Sequence, residues 1–455
     1  MTTDICDAHV SLTSQNALRD WNAMVLAFLA HGTETPIHLG AVLTEAPDFA
    51  MGHAARGLFS LMMGRRELIA VAQGAAIEAH KCLAQGGPVS TRERAWVEAL
   101  DVWLGGEPSG AIAAMERALK QTPSDTLSAK VSHLIRFILG DAKGMRHSLE
   151  QILDAHGDDH ACRGYALGCY AFSLEETGDY KLAEAVGRLG LTHARDDAWG
   201  LHAVAHVYDM TSRSAEGIKL IDANASAWSN CNNFRYHVWW HKALLHLDLG
   251  DTATVLALYD EKIRYEKTDD YRDIANATSL LCRLELEGVN VGDRWVELAE
   301  FSENRVGDGC LVFADLHYIL ALSGDNRDDA RSALMSRIRV DAVTKKSEMA
   351  QIFAGPGLAA ANGLAAFGEG RYDLAFQYLA PARVGMKTVG GSHAQRDVFE
   401  RITVDAGLRA GYYDDVEDIL LDRRQQRAGI SDRFASSRFE MIEAARQNAV
   451  QIPAQ

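Results

Sequence analysis

The sequence is short of proline, lacks any CxxC pair and has no excess of basic charge. Each shortage excludes something. Eight prolines in 455 residues leave room for long uninterrupted helices. Seven scattered cysteines, an odd number, exclude a disulfide framework and read as reduced thiols. Lys and Arg number 46 against 62 Asp and Glu, and the formal charge of −16 opposes a general nucleic-acid or anionic-membrane surface. Neither partner is therefore expected. No stretch approaches the roughly 20 apolar residues of a membrane span. The opening MTTDICDAHV lacks a basic region followed by an apolar run, so a cytoplasmic protein is expected. P-loop, dinucleotide-fingerprint, GxSxG and HExxH strings are absent, which disfavours ATP, NAD and hydrolase chemistry of those types.

What the sequence does contain is repetition. Glycine turns recur near Gly106, Gly140, Gly178, Gly250, Gly324, Gly370 and Gly411. The first steps are 34 and 38 residues, the next two are 72 and 74, each two repeats long, and the last two, 46 and 41, are looser. The intermediate turns fall near Ser214 and Gly288. A period near 34 with two helices per unit is the tetratricopeptide pattern. In segment 91–122, Ala95, Ala99, Val102 and Trp103 share one helical face, GGEP breaks the helix, and Ile112, Met115 and Leu119 face back from the second before Pro123 stops it. Segments 163–195 and 358–383 repeat the design. With 47% hydrophobic residues and no run alternating as a strand, the expected fold is all-α: one continuous, strongly curved helical-hairpin array over 1–455. Residues 16–87 form its weaker first repeats, GPG at 355–357 a loop, and the chain frays after Gln451.

Two stripes of histidine interrupt this scaffold. His202 and His206 in HAVAHVYDM, and His237 and His241 in HVWWHKALLH, are each spaced i, i+4, one turn apart on one helical face. Two such pairs could supply four nitrogen ligands to zinc, manganese or iron, with Asp209 or Asp315 completing the shell. They could equally form a polar ligand site or a satisfied packing seam. GGSHAQRD reads as a turn and helix start, with Ser392 as N-cap and Gln395 completing a capping box. A helix N-terminus beside His393, Arg396 and Asp397 suits a carboxylate or phosphate. Arg283 on an apolar helix needs a partner if buried. Asp315 and His317, two apart, point in opposite directions, so at most one faces a shared site. Trp239 and Trp240 read as packing between repeats, with Trp240 also able to contact a ligand.

The strings HAVAHVYDM, HVWWHKALLHLDLGD, LYDEKI, SLLCRLELEG and GGSHAQRDVF together resemble the tetratricopeptide repeat protein 38 family. The resemblance runs from Arg92–Leu100 to Leu420–Arg424 and implies an all-helical repeat fold, with no reaction attached. Family positions fall on His202, His206, His237, Trp240, His241, His246, Ser279, Arg283, Phe313, Asp315 and His317, and GGSHAQRD is intact. Asp209, Asp248, Asn276, Cys282 and Tyr318 depart from the pattern, and Asn276 in place of Asp removes a possible charged ligand or base.

These readings give two expectations of different kinds. In the first, the array encloses a pocket for a small polar or anionic molecule. His202, His206, His241 and His393 serve there as acids or bases, and His237, Trp240, Arg283, Asp315, His317, Ser392, Gln395, Arg396 and Asp397 make contacts. A transition metal on the four histidines is compatible with this. The pocket requires His393 or Arg396 to lie within about 10 Å of His206 or His241. In the second, the protein is a tetratricopeptide-type interaction scaffold without catalysis.

Overall fold

A computed structural model of the chain describes residues 1–344 and 346–451; the frayed tail expected after Gln451 lies outside the described residues. The chain folds as an all-α array of antiparallel helix pairs. The three segments singled out in the sequence form the pairs Thr91–Leu104 with Pro108–Gln121, Arg163–Glu176 with Tyr180–His193, and Leu358–Gly368 with Tyr372–Ala382. Local chemistry sets their ends. Ser90, Asp125, Asp141 and Asp251 accept backbone N–H bonds as N-caps, Pro108 opens its helix, and most of the expected turn glycines have positive φ. Gly324 is an exception: its helix Val312–Gly324 continues through it, and Asn326 takes the left-handed position instead.

Two local expectations need correction. A two-residue ladder pairs Thr2–Thr3 with His9–Val10, so the chain has a trace of strand where none was expected. The GPG segment is a kinked helical turn, Phe353–Gly357, that runs into the next helix with the break at Gly355. The seven cysteines are free thiols.

Curvature brings distant repeats into contact. Backbone N–H of Asn232 donates to the carbonyl of His31 at 2.8 Å, and that of Glu348 to Gly106 at 3.0 Å. Arg66 reaches the carbonyl of Gly307, and Arg427 binds the Asp209 carboxylate at 3.0 Å. Contacts across more than 200 residues are foreign to an open solenoid, in which each repeat touches mainly its neighbours. The superhelix therefore closes on itself, and its inner helices meet around a common interior.

Candidate functional site

Five helices meet at the histidines: Arg163–Glu176, Ala198–Met210, Phe234–Asp248, Tyr271–Leu286 and His393–Ala410. Every residue of Ala198–Met210 except Asp209 is buried, so its histidine stripe faces packed interior. The neighbouring stripe on Phe234–Asp248 turns towards it. His202 Nε2 lies 2.8 Å from His206 Nε2 and 3.0 Å from His237 Nε2, which is 3.1 Å from His241 Nε2. All four residues can place a ring nitrogen within 4.8 Å of the others. Phe172, Trp199, Phe234 and Trp240 surround them, with Trp240 stacked on His237 at 5.2 Å between ring centres. Burial holds His202 and His241 well below the ordinary imidazole range. It pushes His237 down to about 3, against the hydrogen bond that His237 Nδ1 donates to Asn276 Oδ1.

The GGSHAQRD turn arrives at the same place from the far end of the chain. The rings of His206 and His393 are 5.4 Å apart, well inside the expected separation. Between them lies Glu175, fully buried, with its carboxylate 3.4 Å from His206 Nδ1 and 2.6 Å from His393 Nε2. Glu176 accepts the backbone N–H of His393 at 2.8 Å and faces Arg396 at 3.4 Å. Burial opposes charge on His393, but Glu175 and Glu176 prevail and raise it to about 9. Burial likewise opposes ionisation of Glu175, but His393 and His206 prevail and lower it to about 2.

This geometry corrects the anion-site expectation for the turn. Ser392 and Gln395 form the capping box and are occupied by it. The anion at that helix N-terminus is the chain's own Glu176, and Arg396 is held by Glu176 and the carbonyl of Gly391. Arg283 donates to the carbonyl of Ala394 at 2.7 Å and lies 3.8 Å from Asp397. Asp397 binds Arg401 at 2.6 Å and Arg423 at 2.8 Å.

Next to this layer lies a cavity of about 1110 Å³. Glu176, Asp209, Arg283, His393, Arg396 and Asp397 contribute to its wall. The four clustered histidines and Glu175 do not line it. His202, His206 and His241 are therefore not placed to transfer protons to a cavity ligand, because the His393–Glu175 layer stands between. Ten Lys or Arg and ten Asp or Glu line the cavity, so its charged groups balance and its wall is not strongly basic.

Other sequence candidates fall elsewhere. Asp315 pairs with Arg337, and burial pushes its carboxyl up to about 6. His317 Nδ1 is 2.8 Å from the Phe313 carbonyl, and its ring packs on Phe399. Neither joins the cluster or the cavity wall, because both are spent on their own packing layer. Asp209 binds Arg427 on the cavity wall and does not complete the histidine shell. Trp240 is fully buried and donates to Ser279 Oγ at 3.2 Å.

The sequence reading missed Glu175 and Glu176, which look like solvated residues at a helix end before the Thr177–Gly178 turn. It also missed His31 and His133, which pack against Trp199 at 5.7 and 5.6 Å from other repeats. Nothing local in the sequence marks those two. Asn276 was noticed as a departure, but its place was not: its Oδ1 lies 3.0 Å from His237 Nδ1.

No known family profile matches the chain. Among solved structures, the human IFIT1 dimer with m7Gppp-AAAA is 13% identical, with 83% of this chain and 86% of that one covered and a TM-score of 0.41. Yeast Tom70 is 11% identical over 96% of this chain and 88% of its own, with a TM-score of 0.36. Likeness at this level says nothing about what this chain binds.

Proposed function

We propose that this chain is a cytoplasmic member of the tetratricopeptide repeat protein 38 family. In this reading it works as one continuous array whose closed superhelix binds a small polar molecule in its internal cavity. The observation that supports this reading is the cavity wall itself. Side chains from five separated parts of the chain converge there: Glu176, Asp209, Arg283, the His393–Asp397 turn, and the Arg423–Asp432 segment. Concave cavities of roughly this size, with a few fixed polar groups, suit small molecules. The equal numbers of cationic and acidic lining residues favour a ligand carrying both hydrogen-bond donors and acceptors, such as a zwitterion, over a polyanion. Seven of the ten cationic groups already face carboxylates, so a polyanion would have to displace those partners.

The test uses the full chain and a library of polar metabolites screened by equilibrium dialysis. Leu244, on the cavity wall, is changed to Trp to fill the space. The expected result is at least one small-molecule binder whose retention is lost in Leu244→Trp at unchanged helix content. A wild type that retains nothing from the library, while capturing extended peptides as well as Leu244→Trp does, would replace the pocket with the interaction scaffold.

A further inference from the structure

We infer that His202, His206, His237 and His241 form a closed four-imidazole site for a divalent first-row transition ion. This goes beyond the cavity reading and does not depend on it, since none of the four histidines lines the cavity.

Four buried ring nitrogens lie within 4.8 Å of one another. The Nε2 atoms form a chain of three short contacts, His206 to His202, His202 to His237, and His237 to His241. A neutral imidazole nitrogen either carries one hydrogen or offers one lone pair. Four nitrogens can therefore satisfy two of these contacts at most, and the third is left without a hydrogen of its own. Adding protons does not help, because a nitrogen that gains a hydrogen loses its lone pair, and four such groups still serve no more than two contacts.

The outer nitrogens indicate which alternative holds. His206 Nδ1 faces the Glu175 carboxylate, which can only accept, so the proton sits on Nδ1 and the Nε2 lone pair points inward. His237 Nδ1 faces Asn276 Oδ1 with the same consequence. These two inward lone pairs both aim at His202 Nε2, which can donate to one of them, while His241 Nε2 faces that of His237. Two hydrogen bonds at most can serve the three contacts, whereas a cation at the centre takes a lone pair from all four converging nitrogens.

The surroundings match what such an ion requires. An imidazole held from behind by a carboxylate or amide oxygen is the usual outer arrangement of a metal-binding histidine. With metal–nitrogen bonds of about 2.0–2.1 Å, tetrahedral ligand nitrogens lie about 3.3 Å apart. The three observed contacts of 2.8–3.1 Å need to open by only a few tenths of an ångström. Imidazole nitrogen selects zinc, copper, iron or nickel over magnesium or calcium. Four protein ligands in a dry aromatic shell leave no position for substrate, so the ion ties two repeats together.

The test starts from untagged full-length protein purified without chelator. Its metal content is measured by mass spectrometry, and the stripped protein is then titrated with cobalt(II). The expected results are one equivalent of transition metal per chain, the strong visible absorption of tetrahedral cobalt(II), and a fall in thermal midpoint on stripping. His202→Gln with His241→Gln should abolish cobalt(II) binding. His246→Gln, a histidine on the same helix outside the cluster, should leave it intact. Glu175→Gln should weaken binding about 10–100-fold, while Asn276→Asp should retain it. Wild-type protein that is folded, metal-poor and spectroscopically silent with cobalt(II) would overturn the inference. So would full occupancy in the double histidine variant.

Discussion

Gly140→Ala tests how the superhelix closes. The turn after the helix Thr126–Ile138 lies against residues 387–390, the segment that leads into His393. Gly140 has φ of +70°, and a Cβ there would sit 1.7 Å from the Lys387 carbonyl oxygen. Across the same contact, a Cβ on Gly390 would lie 2.3 Å from the Ile138 carbonyl oxygen. Two backbones meet here with no side chain between them. Gly411 is the control, with φ of +86° and open space around it. The left-handed conformation alone costs an alanine about 1–2 kcal/mol, and Gly411→Ala should lose no more than that. At Gly140 the overlap is with backbone and no rotamer change relieves it, so displacement adds about 2–3 kcal/mol. Urea unfolding followed by circular dichroism should separate the two variants by that margin. Amide exchange over 390–396 should quicken in Gly140→Ala and stay unchanged in Gly411→Ala. Equal losses in both, with no change in exchange, would mean that the 140 turn and the 387–390 segment do not touch, and the closed superhelix would fail with them.

Two further perturbations probe the buried charges. Burial raises the Asp197 carboxyl to about 7, against Lys130 and backbone N–H groups. The fold therefore binds its proton more tightly than the unfolded chain does, so the stability it confers is full below about pH 4 and is lost as the pH rises to about 7. Asp197→Asn should gain on wild type between pH 5 and pH 8 by a margin on the order of 3 kcal/mol, and parallel pH curves in urea would contradict this. Arg92 is buried and binds Asp125 through two nitrogens at 2.7 and 2.6 Å and Asp4 at 2.6 Å. Arg92→Met should cost about 3–5 kcal/mol at pH 7 by leaving two buried carboxylates without their cation, and most of the loss should return with Asp4→Asn and Asp125→Asn added. A single-variant loss below about 1 kcal/mol would refute that accounting.

The helices, their turns and the histidine faces were legible in the sequence because each is written over short distances. A glycine with positive φ ends a helix where it stands, and an i, i+4 pair shares a face whatever surrounds it. The capping box at Ser392 was legible for the same reason. Glu175 was not. At the end of an amphipathic helix, ahead of a turn, a glutamate looks solvated unless the helix from residue 393 is known to cover it. The fates of Asp315 and His317 were hidden similarly, since Arg337 and Phe399 meet them only in three dimensions. Asn276 shows a further limit. The amide removes a charge from the family's pattern, yet keeps the oxygen that faces His237.

The buried charges of this fold also bear on why the histidines are there. Several other buried carboxylates are matched by arginine: Asp4 and Asp125 by Arg92, Asp432 by Arg423, Asp405 by Arg438. Arginine stays charged at any pH the fold meets, so those pairs pin helices together throughout that range. Glu175 is matched by imidazoles, on one side His206 and on the other His393. An imidazole is a weaker answer to a buried carboxylate if pinning is the whole task, because burial drives it towards neutrality. It has a capacity that arginine lacks. His206 presents Nδ1 to Glu175 while its second nitrogen points into the cluster with His202, His237 and His241. Replacing Glu175 by leucine separates the two roles. If the carboxylate serves only to balance His393, Glu175→Leu with His393→Leu should restore stability and leave cobalt(II) affinity at the wild-type level. If it orients His206 for the ion, the double variant should fold and still bind cobalt(II) about 10–100-fold more weakly. The 3.4 Å approach of the carboxylate to Nδ1 favours the second outcome.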